Sequence, residues 1–130
     1  MPEKTCEHSS AEILLFLVKM RIIYSKHFPP KGFGAINLFS LIVVRKGYGE
    51  LNDAERNHEK IHTKQMLELL FIFFYIAYII EWLIRFIQYG DGKKAYYNIS
   101  FEREAYTHMY DSDYYKKRKL FMFIKYYRIV

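Results

Sequence analysis

Residues 57–62 read Asn-His-Glu-Lys-Ile-His, so His58 and His62 stand four apart, with Glu59 directly after the first. On an α-helix, residues four apart lie one turn above each other and can aim two imidazoles at one point. That arrangement is half of a zinc site. Glu59, beside the first ligand, can reach a water held there and act as general base for attack on a carbonyl. A blander reading places the same residues, with Glu55, Arg56, Lys60 and Lys64, on one solvated face of an amphipathic helix.

Such a site requires a helix, and the local residues encode its start. Asn52 followed three residues later by Glu55 reads as an N-cap with its capping-box partner, and Asp53 and Glu55 suit the positive end of the helix dipole. Two histidines leave a catalytic zinc short of a protein ligand, and a Glu from another helix is one standard completion. Residues 101–110 read FEREAYTHMY behind Asn98, Ile99 and Ser100, which offer N-caps for a further helix. Glu102 and Glu104 are the candidates. Two residues apart on a helix, they point about 200° away from each other, so only one can face the histidines. Carboxylates in a first helical turn are also favourable without any metal. Tyr106 could polarise a substrate carbonyl. His108, one turn after Glu104, could be a ligand, a transition-state donor or a core residue.

The pair of motifs, HEKIH followed after about forty residues by FEREAY, resembles the gluzincin metallopeptidases. In their membrane prenyl-protein protease branch and in the small minigluzincins, the histidine helix is followed by one bearing Glu-x-x-x-Asp, with a preceding Phe and a following Ala. Short bacterial proteins carry similar blocks. Aligned on Phe101 and Ala105, the resemblance implies Glu102 as third zinc ligand beside His58 and His62, and Glu59 as general base. The family's Asp, which orients a ligand, falls on Tyr106, where this chain departs from the pattern. The resemblance covers residues 50–110. It implies an α+β, predominantly helical, zincin-like fold whose active-site helix follows one or two strands.

The remaining residues set the surroundings. A chain of 130 residues suits a single domain, with residues 1–8 disordered and 52–110 forming the metal-site core. The sole cysteine, Cys6, excludes an internal disulfide, and the polar N-terminus lacks the order of a secretory signal, so an intracellular location is expected. Net charge is +6, but the only basic run, residues 116–119, lies among aromatics and makes no nucleic-acid signature. Ser9 and Ser10 mark a helix start, and residues 13–24 are expected to continue that helix up to the breaker cluster at 27–32. Residues 33–49 are β-like and predict one or two strands, which could offer a peptide an edge for β-augmentation.

No Gly or Pro interrupts residues 52–89, and the helical pattern is expected to run on to Gly90. Residues 69–80 are an unbroken apolar run, too short alone to span a bilayer and expected to pack in the core or lie at a membrane surface. A span of the bilayer, the alternative, would bury Glu68, Glu81 or Arg85, of which Glu81 and Arg85 are spaced to pair. Residues 114–127 predict a basic, aromatic amphipathic helix suited to an anionic membrane surface. The functional expectation is a membrane-associated, cytoplasmic-side protein that uses Zn2+ to hydrolyse peptide or protein substrates. The alternative is a noncatalytic membrane-associated or interaction protein that keeps a zincin-like scaffold.

Overall fold

The computed structural model describes residues 21–128; the expected disorder over 1–8 and the helix start at Ser9 and Ser10 lie outside them. Three short strands come first: β1 (Arg21–Ser25), β2 (Ala35–Leu38) and β3 (Leu41–Arg45). The end of the helix expected over 13–24 is therefore strand, because the apolar residues of β1 pair in parallel with β3, Ile22 opposite Ile42 and Tyr24 opposite Val44. β2 runs antiparallel to β3 on its other side, so β3 is central and, among the described residues, β2 keeps one open edge. The β-branched centre of β3 explains its place: Ile42, Val43 and Val44 are all buried. A two-residue turn joins β2 to β3, with both Phe39 and Ser40 at positive φ. Its strain is held by helix-borne groups: Tyr75 accepts the Phe39 N–H, and the Ser40 hydroxyl meets that of Thr63.

The helices follow as α1 (Asp53–Glu68), α2 (Ile72–Tyr89), α3 (Gly92–Tyr97), α4 (Ser100–His108), α5 (Tyr114–Lys117) and a 3-10 turn at Met122–Tyr126. Asn52 and Glu55 form the expected capping box at the start of α1. Its polar residues do not form a solvated face. Asn57, His58, Glu59, His62, Thr63 and Gln65 are all buried, against β2 and α4. Asn37 of β2 ties the sheet to this helix by donating to the Glu59 carbonyl and the Thr63 hydroxyl.

The helical run does not continue to Gly90. It breaks at Leu70 and Phe71, both at positive φ without being glycine, and Phe71 N–H returns to the Met66 carbonyl. Unbroken, residues 53–89 would form a rod about 55 Å long. The break instead brings Phe74 against Phe101 of α4, with Met66 and Ile99 completing that core. α2 itself ends as expected at Gly90, in the left-handed conformation that glycine adopts without cost. Among its apolar residues only Phe74 is buried; Ile72, Ile80 and Ile87 are exposed, and α2 is long and apolar enough to cross a membrane. Its inner face, with Phe74, Tyr75, Ala77 and Tyr78, packs on that core, and the rest of its apolar run stays exposed.

Two expected elements differ for reasons of charge pairing. Ile99, not Asn98 or Ser100, is the N-cap of α4, and Ser100 instead gives its N–H and O–H to the Glu81 carboxylate at 2.7 and 2.6 Å. The expected helix over 114–127 stops after one turn, where Arg118 turns inward to pair with Glu104 and Glu68. Glu81 also faces Arg85, which is fully buried, at 3.5 Å. Glu81→Ala should therefore strand a buried guanidinium and two Ser100 donors, lowering stability by about 3–5 kcal/mol. Thermal or denaturant unfolding measures this; a loss under about 1 kcal/mol, the range of an exposed pair, contradicts it.

Candidate metal centre

α1 presents His58 and His62 from consecutive turns, and α4 crosses them with Glu102 in its first turn. Their donor atoms converge: His58 Nε2 lies 2.9 Å from His62 Nε2 and 3.1 Å from Glu102 Oε2, and His62 Nε2 lies 3.2 Å from Glu102 Oε1. All three side chains are buried, and together they form a cluster able to hold a metal ion. Ligands of a tetrahedral zinc, with bonds of about 2.0–2.1 Å, stand about 3.3–3.4 Å from one another, so the observed spacings need open only slightly. Two imidazole nitrogens and a carboxylate oxygen are a donor set suited to zinc rather than calcium or magnesium.

The electrostatics point the same way. Burial alone would push His62 down, but the Glu102 carboxylate beside it wins, and His62 is raised to about 9. Burial alone would raise the Glu102 carboxyl, yet His62 and His58 hold it well below the usual carboxylate range. The site thus favours a positive charge at His62 beside the Glu102 carboxylate, where a metal would put its own. The Tyr78 hydroxyl adds a hydrogen bond to Glu102 Oε1 at 2.7 Å.

Glu59 is buried next to His58 in sequence, and its Oε2 has no hydrogen-bond partner among the described residues. Burial pushes its carboxyl up, against the opposing pull of His62 and His58. With His58 it walls two cavities. One, of about 710 Å³, is lined mainly by apolar and aromatic side chains including Phe33, Leu38, Phe74 and Trp82. The other, of about 230 Å³, is lined by Tyr48, Tyr96, Tyr97 and Tyr106 among others.

Tyr106 is brought to the centre: its ring lies 4.3 Å from that of His58, and its hydroxyl meets that of Tyr96 at 3.1 Å. His58 Nδ1 is buried and has no hydrogen-bond partner among the described residues. His108 is not brought to the centre. Its ring stacks on Tyr114 and bonds the Tyr126 hydroxyl. Glu104 points away from the histidines, as the 200° separation requires, to Arg118 and Tyr114. The sequence reading missed Gln65, Tyr78 and Tyr96. Gln65 carries a usable signal, lying three residues past His62 on the same helix face. Tyr78 carries none, because it reaches Glu102 only after the chain reverses at Leu70 and Phe71.

Comparison of the chain with known protein families, curated proteins and solved structures finds no significant match.

Two outcomes are expected. Zinc should copurify near stoichiometrically with protein isolated without a metal-binding tag, and Glu102→Ala should lose it while Glu104→Ala binds it more weakly without losing it. The reverse ranking by elemental analysis refutes the cluster. The second outcome concerns pH. His62 is raised in the folded state, so its pairing stabilises the metal-free fold fully below about 6.5 and is lost as pH rises through about 9. Glu102 is depressed, so its contribution is present above about 4.5 and is lost only as pH falls through its lower folded value. Zinc must displace the His62 proton. The Tm gained on adding zinc should therefore grow from pH 6.5 towards 9; a gain that shrinks over this window contradicts the assignment.

Proposed function

We propose that the protein is a membrane-associated, zinc-dependent peptide hydrolase of gluzincin type. The observation that carries this reading is the juxtaposition of the buried His58, His62 and Glu102 cluster with a buried Glu59 oxygen that has no partner among the described residues, at the wall of a large apolar cavity. In this reading His58, His62 and Glu102 hold the ion. When bound, zinc supplies Lewis acidity for a carbonyl and acidifies water.

The chain's own residues do the rest. Glu59, with a carboxyl raised by burial, removes a proton from the attacking water and later delivers it to the leaving amine. Tyr106, beside His58, donates its hydroxyl to the oxygen on which negative charge develops. His108 is assigned a packing role by its stacking on Tyr114. The open edge of β2 supports a peptide laid alongside as a further strand, since Ala35, Ile36, Asn37 and Leu38 all line the large cavity. The cavity's apolar lining then selects a bulky apolar side chain next to the scissile bond.

Membrane association is assigned to α2, whose exposed face carries Ile72, Phe73, Ile76, Ile80, Leu83 and Ile87. A noncatalytic scaffold is the second reading, favoured by one observation: His58 Nδ1 has no partner among the described residues to orient the ring, and Tyr106 stands where the resemblance implies an orienting Asp.

Glu59→Gln separates the readings. The variant should keep zinc and fold, while hydrolysis of mixed unfolded proteins in the presence of lipid falls on the order of a hundredfold or more. Equal cleavage by both proteins identifies a contaminant, and no cleavage by zinc-loaded wild type favours the scaffold. Flotation with lipid vesicles tests the surface separately: wild type should float, and Ile80→Glu with Ile87→Glu should stay in the aqueous layer.

A further inference from the structure

Gln65 is fully buried, and the side chains around it leave its amide one orientation. An amide offers one acceptor oxygen and one two-proton donor nitrogen. Gln65 Nε2 lies 2.9 Å from Glu104 Oε2 and 3.1 Å from the Phe101 carbonyl, and both of those partners only accept. The NH2 group must therefore face them, which turns Oε1 towards His62 Nδ1 at 2.8 Å. An acceptor oxygen at that distance requires the proton on Nδ1. The lone pair of a neutral His62 then sits on Nε2, the nitrogen that faces His58 and Glu102.

Glu104 is itself fixed. Its Oε1 accepts from Arg118 Nε at 2.7 Å and from the Tyr114 hydroxyl at 2.9 Å, and its Oε2 accepts from Arg118 Nη2 at 3.1 Å. Arg118 also pairs with Glu68 at the end of α1. The pairing thus runs from the segment after α5, through α4, to the ligand helix. Among the described residues His58 has no counterpart, since its Nδ1 lacks a partner there.

We propose that Gln65 is a positioning residue, backed by Glu104 and Arg118, that sets which ring nitrogen His62 offers to the centre. The segment carrying Arg118 is then part of the metal centre without touching it, and His58 is the ligand free to adjust. This rests on the reading that the cluster holds a metal, but the tautomer is readable without one.

The experiment uses the full-length protein labelled with 15N in its histidines. In strongly alkaline, metal-free wild type, where the imidazole is neutral, long-range 1H–15N spectra should show His62 protonated on Nδ1. Gln65→Met, close in volume but without the acceptor, should show both tautomers and bind zinc on the order of 10–100-fold more weakly, at unchanged helix content. Glu104→Gln, whose amide can donate as well as accept, should release the Gln65 amide and shift both readouts the same way. A proton on Nε2 of wild-type His62 overturns the proposal without recourse to any variant. So does a Gln65→Met protein that folds and binds zinc as tightly as wild type. If wild type shows the Nδ1 proton yet binds no zinc, the metal reading falls and the tautomer assignment stands.

Discussion

Burying a carboxylate between two imidazoles is costly unless the three groups share a positive charge. Glu102, His58 and His62 meet within 3.2 Å of one another, and much of the structure serves to hold them there. The capping box starts α1 so that both histidines fall on its inner face. Glu81 receives the first residue of α4 and so sets where Glu102 enters the cluster. Phe74 and Phe101 then bind α2 to α4, and Tyr78 on α2 closes over the carboxylate.

The same constraint explains why charge is buried elsewhere. Glu81 with Arg85, and Arg118 with Glu104 and Glu68, are pairs inside a small body whose outer helix face is apolar. Buried pairs of this kind are weak sources of net stability, but removing one partner is expensive, so they fix where helices meet. On α2 the buried Glu81 and Arg85 make polar connections beside the core residue Phe74, while the outer face is apolar.

The chemistry was more legible than the chain path. HEKIH and its Asn52–Glu55 cap are local, and helical spacing alone aligns the histidines. The geometry of two glutamates on one helix also separates Glu102 from Glu104. What was not legible depends on distant partners. β1 is strand because β3 lies beside it. The reversal after α1 uses Leu70 and Phe71 at positive φ, where a glycine would have signalled a turn. The C-terminal amphipathic pattern was interrupted by Arg118, whose partners lie 14 and 50 residues away. His108 shares the α4 sequence block with Glu102, yet its partners are Tyr114 and Tyr126.

The central claim is that two histidines of one helix and one glutamate of another form a single metal-binding centre. X-ray absorption at the zinc edge of the loaded protein tests it most directly. The account predicts two imidazole scattering patterns, with the remaining ligands light atoms at about 2.0–2.2 Å. A sulfur scatterer at about 2.3 Å, or a shell of oxygen alone without imidazole, contradicts it.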